Sequence, residues 1–198
     1  MSPFIGCLAL ALIELDAVMV AQTLVSRPLI VGVIFGALGG APWTGALFGA
    51  TFELMSLVHL PVGGALSWSG PVAAGTAALL AGLDCSSAMS LAGGLGAGVL
   101  HSRLEGFERA RRMATGDALA RRAAGNGRVL GFSFAVSLAA HAALTFSVSF
   151  LTLTLIPIFD RQWWPSSPVF VRAGAEFAAD VAPWIGLSSL AAWGLRRV

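Results

Sequence analysis

Between Ser26 and Gly75 the chain reads SRPLIVGVIFGALGGAPWTGALFGATFELMSLVHLPVGGALSWSGPVAAG, an apolar stretch that carries one guanidinium (Arg27), one carboxylate (Glu53), one imidazole (His59) and four prolines. Lone ionisable groups and interrupted backbone are tolerated at bilayer depth only where they line a protein-enclosed cavity, so the chemistry expected here is ligand recognition along a path. A carboxylate in the middle of a membrane helix costs about 2.5–3.5 kcal/mol, so Glu53 needs a partner. That partner is either a polar ligand or the free backbone N–H groups of the neighbouring helix break. His59 precedes Leu60-Pro61-Val62-Gly63-Gly64 and can donate to a hydroxylated ligand, or it is a satisfied interior residue. Ser67 and Ser69 flank Trp68. A Trp face with hydroxyls beside it suits a sugar ring, and Trp is equally an interfacial anchor. Arg27 is a ligand contact or, more simply, a cytoplasmic anchor. Gln22 and Asp16 lie in the first apolar segment, from where either reaches a ligand or pairs with Arg27.

Other polar residues suggest less. Glu176 and Asp180 share a helical face, but Arg172 precedes Glu176 by one turn and an ordinary ion pair is the simpler expectation. Asp84 reads as a turn residue, Cys7 and Cys85 as packing residues, and His101 and His141 have no companions at ligand spacing. The glycine run 93–98 follows no strand and meets no acidic ribose reader, which excludes a dinucleotide loop. No Ser/His/Asp or Cys/His arrangement occurs, so neither catalytic machinery, a cofactor nor a metal is expected.

The elements that must position these residues follow from composition. With 57% hydrophobic and 11% charged residues among 198, and a mean hydropathy of +0.82, the chain is an integral membrane protein. Its long apolar tracts suit helices of about 20 residues, and the alternation of a barrel is absent. The expected fold is all-α, a multi-span bundle with short re-entrant or broken helices, in a single membrane domain over 1–198. Residues 1–100 form the transport half. Residues 3–26 make a first membrane helix that is retained, since Glu14 and Asp16 interrupt the run where a signal peptide would continue. Two residues apart, these acids point different ways, one inward and one toward a surface. Pro28–Gly40 and Ala41–Leu60 are two short apolar arms leading to a turn at Pro61–Pro71. Gly32, Gly36 and Gly40, then Gly45 and Gly49, recur at every fourth residue, a small-residue face for close helix packing. Residues 72–100 make one tilted span or two short ones broken near Gly82-Leu83-Asp84.

Seven of the twelve basic residues, all arginine, fall between Arg103 and Arg128. This positive-inside signal places 101–128 in the cytoplasm, with 101–124 an amphipathic helix along the interface. A single aromatic, Phe107, in that run excludes a nucleic-acid partner. Residues 129–198 supply the C-terminal helices: an apolar one over 129–158 ending at Ile156-Pro157, a Trp163-Trp164 interfacial belt, and a last segment over 169–195. Arg196 and Arg197 put the C-terminus in the cytoplasm.

The segments QTLVSRP (22–28) and GALFGATFELMSLVHLPVGGAL (45–66) resemble the IIC subunit of the mannose/fructose/sorbose-type sugar phosphotransferase systems. In that family an SRP or HRP triplet precedes a hydrophobic hairpin and a block containing Glu follows. Glu53 falls on that Glu, and Gly63-Gly64 on a Gly-Ala pair. The resemblance extends more weakly through HSRLEGFERARRMATGDALARRAAGNG and APWIGLSSLAAW. It implies a multi-pass permease subunit of the bacterial inner membrane, with no catalysis of its own, that works with a IID membrane subunit. Cytoplasmic IIA and IIB phosphocarriers and a hexose complete the system, and IIC–IID pairs assemble as trimers. Glu53, Gln22, His59, Ser67, Ser69, Arg27 and Asp16 then line the sugar path. Ser67-Trp68-Ser69-Gly70 stands where the family commonly carries an acidic Pro-Asp motif, and the chain is shorter than usual. These departures motivate the alternative of a degenerate homologue acting as a non-transporting scaffold or sensor subunit.

Overall fold

The computed structural model describes residues 2–18, 24–58, 68–123 and 127–195, and among these every regular element is helical. The helices are α1 (Pro3–Val18), α2 (Pro28–Gly39), α3 (Pro42–Val58), α4 (Gly70–Ala81), α5 (Ser87–Ala123), α6 (Gly127–Gln162) and α7 (Val169–Leu195), with short 3-10 turns at Leu24–Ser26 and Trp164–Ser166.

The first segment departs from a single helix over 3–26: Leu24–Ser26 form a 3-10 turn, and Arg27 is extended at φ −68°, ψ 136°. A residue before proline is pushed out of the helical region, and Pro28 then starts α2 where a missing N–H costs nothing. Gly40, at φ 82°, ends α2 in the left-handed conformation that a side chain disfavours, and Pro42 opens α3. The two arms form an antiparallel hairpin with no room for side chains at its seam. A Cβ on Gly36 would lie 2.8 Å from Gly45 Cα, and one on Gly49 would lie 2.8 Å from Pro28 O. In lipid, where apolar contact alone gives no solvent-driven gain, such backbone proximity is what holds helices together.

Helix α4 is the centre of the molecule. Every residue from Gly70 to Leu80 except Pro71 is buried, and α1, α2, α3, α5 and α6 all pack against it. Its sequence, GPVAAGTAALLA, is small and apolar all round, which suits a helix covered on every side. Cys7 and Leu10 of α1, Val31 and Phe35 of α2, Leu80 of α4 and Leu153 of α6 form the largest apolar cluster around it.

The tract 72–100 is two helices, because Gly82–Ser86 breaks it with Asp84 at φ 60°. Two carboxylates fasten the start of α5. Asp160 accepts from Ser86 N–H (3.1 Å) and Oγ–H (2.6 Å), and Glu176 accepts from Ala88 N–H (3.2 Å). Both meet the positive end of α5. Glu176 thus turns to a helix terminus instead of forming the expected pair with Arg172. The polar segment from 101 is a direct continuation of α5 to Ala123, correcting the separate interfacial helix. Nothing in 100–104 (LHSRL) breaks a helix, and Arg109–Glu105 and Arg112–Glu108 pairs at i,i+4 support the extension.

Helix α6 likewise runs past Ile156-Pro157 to Gln162. Proline removes one hydrogen bond, and the packing of α6 on α1 and α5 carries the helix through. By length and composition, residues 127–166 are long and apolar enough to cross a membrane, and Pro28–Gly39 and Gly70–Ala81 are shorter apolar helices. Large apolar side chains cover the outside, among them Phe132, Phe134, Phe170, Phe177 and Trp184.

In the loop between α4 and α5, burial pushes the Cys85 thiol up to about 11, and the nearby Asp160 carboxylate adds to the shift. It is held in the protonated form at neutral pH, in keeping with a packing role.

Candidate functional site

The open end of the α2–α3 hairpin gathers residues from three elements. Arg27, just before α2, donates from Nη1 to Glu53 Oε1 on α3 at 3.1 Å, and Glu53 Oε2 lies 3.5 Å from Leu29 N–H in the first turn of α2. Glu53 therefore meets both an opposite charge and a helix N-terminus. Its side chain is 19% exposed and that of Arg27 54% exposed, so the pair sits at a rim. The start of α4 closes in beside it, where a Cβ on Gly70 would touch Pro28 Cγ at 2.7 Å and Ser56 Oγ at 3.0 Å. Trp68 tilts against Phe52 with ring centroids 5.4 Å apart.

Ser69 belongs to the same end of α4, yet its side chain faces the interior. Its hydroxyl donates to Glu14 Oε1 at 2.8 Å and accepts from Val72 N–H at 3.4 Å, so it caps α4 and anchors a buried carboxyl at once. Asp16 is half-buried on α1 and has interactions of its own. Glu14, two residues earlier, is the acid that points inward. Gln22, His59 and Ser67 lie outside the described residues.

This end of the hairpin brings together a guanidinium, a carboxylate and an indole, groups that can bind hydroxyls, and it contains no nucleophile–base pair among the described residues. A family model described as the phosphotransferase system sorbose-specific IIC component matches residues 4–192. The chain belongs to this IIC family. Comparisons with curated proteins and with solved structures give no match. The IIC family is a transport component of a sugar phosphotransferase system, and its members are membrane proteins.

Two further features of this IIC chain were not singled out as a site in the sequence. A cavity of about 430 Å³ lies between α3 and α7, lined by Thr44, Phe48, Thr51, Ser87, Asp180 and Trp184. Hydroxyls, a carboxylate and an indole on apolar walls make it a second place where a polar ligand fits. The other feature is a polar cluster in the interior. Glu14, His101 and His141 are each almost wholly buried, and the two imidazoles meet edge to face with centroids 5.3 Å apart. Thr76 donates to Ser149 nearby at 3.5 Å.

Helical spacing carried a signal for this cluster. Cys7, Leu10 and Glu14 share one face of α1, Ser90, Ala97, His101 and Glu105 one face of α5, and His141, Thr145, Ser149 and Leu153 one face of α6. The outer faces of these helices are also apolar, so hydrophobic contrast did not mark the inner one.

Proposed function

We propose that this chain is the multi-pass IIC permease subunit that, with a IID partner, carries a hexose of the mannose/fructose/sorbose class across the bacterial inner membrane toward cytoplasmic IIA and IIB phosphocarriers. The family match over residues 4–192 carries the reading. The apolar outer surface and the long apolar stretch 127–166 fit a membrane-embedded subunit, and the short apolar helices α2 and α4 suit a hairpin that enters without spanning. The basic stretch 101–128 then lies in the cytoplasm, and IIC–IID pairs assemble as trimers.

The sugar path runs past the open end of the hairpin. Glu53 accepts from sugar hydroxyls while Arg27 and the first turn of α2 hold its carboxylate in place, and Gln22, His59, Ser67 and Asp16 complete the set, whereas the expected contact from Ser69 is diverted inward to Glu14. Binding in an apolar wall needs only a few such directed groups. Glu53→Gln keeps the shape and loses the charge. In vesicles holding IIA, IIB, IIC and IID it is expected to abolish phosphoenolpyruvate-dependent sugar uptake, and uptake at the wild-type rate removes Glu53 from the path.

One observation favours the second reading, a degenerate IIC homologue acting as scaffold or sensor. Ser69, which stands in the segment where the family commonly has an acid, is turned inward to Glu14 and is not offered to a sugar. Under that reading the wild-type set still co-purifies with IID and takes up no hexose.

A further inference from the structure

The buried cluster at the meeting of α1, α5 and α6 is chemically incomplete in a specific way. His101 Nε2 lies 2.9 Å from Thr145 Oγ1, and the Thr145 hydroxyl in turn donates to the His141 carbonyl at 3.1 Å. With its proton committed there, Thr145 accepts from His101 Nε2–H, which leaves His101 Nδ1 as a bare lone pair. Glu14 is similarly held by one oxygen, with Oε1 bonded to Ser69. The other atoms, Glu14 Oε2, His101 Nδ1 and both ring nitrogens of His141, have no hydrogen-bond partner among the described residues. All three side chains are at most 2% exposed. Native interiors seldom leave so many polar atoms together without compensation.

One ligand atom from each of Glu14, His101 and His141 lies within 4.8 Å of the other two. Donors in a tetrahedral zinc site, about 2.0–2.1 Å from the metal, stand roughly 3.3 Å apart. Closing the cluster on an ion therefore takes at most about 1.5 Å of movement in the widest pair. Two imidazoles and one carboxylate are the donor set of first-row divalent ions, whereas calcium and magnesium take oxygen donors throughout. Two of the three ligands carry the expected outer bonds: ligating imidazoles characteristically pass their second N–H to an oxygen, as His101 does to Thr145, and ligating carboxylates are themselves hydrogen-bonded, as Glu14 is by Ser69, while the second ring nitrogen of His141 has no partner among the described residues. Glu105, one turn beyond His101 and 3% exposed, adds a second buried carboxylate toward balancing a double positive charge, with Arg109 sharing it from outside.

We propose that Glu14, His101 and His141 bind one divalent first-row transition cation of the zinc type, which clamps α1, α5 and α6 in the core of the subunit. The site is independent of the sugar path and needs no transport to be detected. The full chain, purified in detergent without a polyhistidine tag and stripped with chelator, is titrated with Co²⁺ and then Zn²⁺. The expected result is one Co²⁺ per chain with the visible bands of a nitrogen/oxygen site of low coordination number, displaced by Zn²⁺. Folded Glu14→Gln and His141→Gln lose the bands, and Ser69→Ala binds about ten-fold more weakly through loss of the outer bond. Substoichiometric binding by the folded wild type, or bands unchanged in both ligand variants, overturns the proposal. Should those variants fail to fold, X-ray absorption at the zinc edge of the wild type decides: two imidazole nitrogens and a carboxylate oxygen support the site, and a sulfur or all-oxygen shell refutes it.

Discussion

Replacing Ser69 with alanine tests the interior directly, because one hydroxyl performs two tasks there. It donates to Glu14 Oε1 at 2.8 Å with both residues buried, and it accepts the Val72 N–H at 3.4 Å as the cap of α4. Losing a hydrogen bond to a buried carboxyl oxygen, which then has no donor, costs about 1–3 kcal/mol. The cap adds about 0.5–1 kcal/mol, toward the low end of such effects because its bond is long. Ser69→Ala is therefore expected to destabilise the chain by about 1.5–4 kcal/mol, the two losses being only approximately additive. Reversible unfolding in mixed micelles, followed by circular dichroism, measures it. A double-mutant cycle with Glu14→Ala isolates the bond, with an expected coupling of about 1–2 kcal/mol. Destabilisation under about 0.5 kcal/mol, or additivity of the two single changes, would refute the buried Ser69–Glu14 bond. A variant of wild-type stability that binds sugar more weakly would instead place Ser69 in the path.

Two other predictions concern the hairpin and the loop after α4. A Cβ on Gly45 would lie 2.6 Å from Gly36 Cα, where only backbone can yield; Gly45→Ala is expected to force α2 and α3 about 1 Å apart and cost about 1–3 kcal/mol, measured by the same unfolding assay, and a neutral result rules out the close seam. With its thiol pushed up to about 11, Cys85 in a Cys7→Ser background is expected to alkylate with a rate that climbs through pH 8 to 10 without levelling. The thiolate is the reactive form, and at pH 8 it is roughly one part in a thousand here against about a quarter for an ordinary cysteine. A plateau near pH 9 contradicts the shift.

Hydropathy and punctuation by themselves determined the helical membrane class, the short arms, the turn at Asp84 and the glycine face of the hairpin, because these depend on local backbone preference and on spacing along one helix. The IIC motif around Glu53 was legible for the same reason, being contiguous in sequence. Continuity of α5 through His101 and of α6 through Pro157 was not, since packing against neighbours outweighed the local change in polarity and the lost hydrogen bond. Nor were the long-range partners: Arg27 with Glu53, Glu14 with Ser69, His101 with Thr145 and His141. Periodicity assigns each of these to a face of its own helix, but a chain apolar on both faces does not say which one turns inward. Only the assembly of α1, α5 and α6 around the small-residue helix α4 decided that Glu14 and two isolated histidines share one interior, where desolvation makes their unpaired atoms matter.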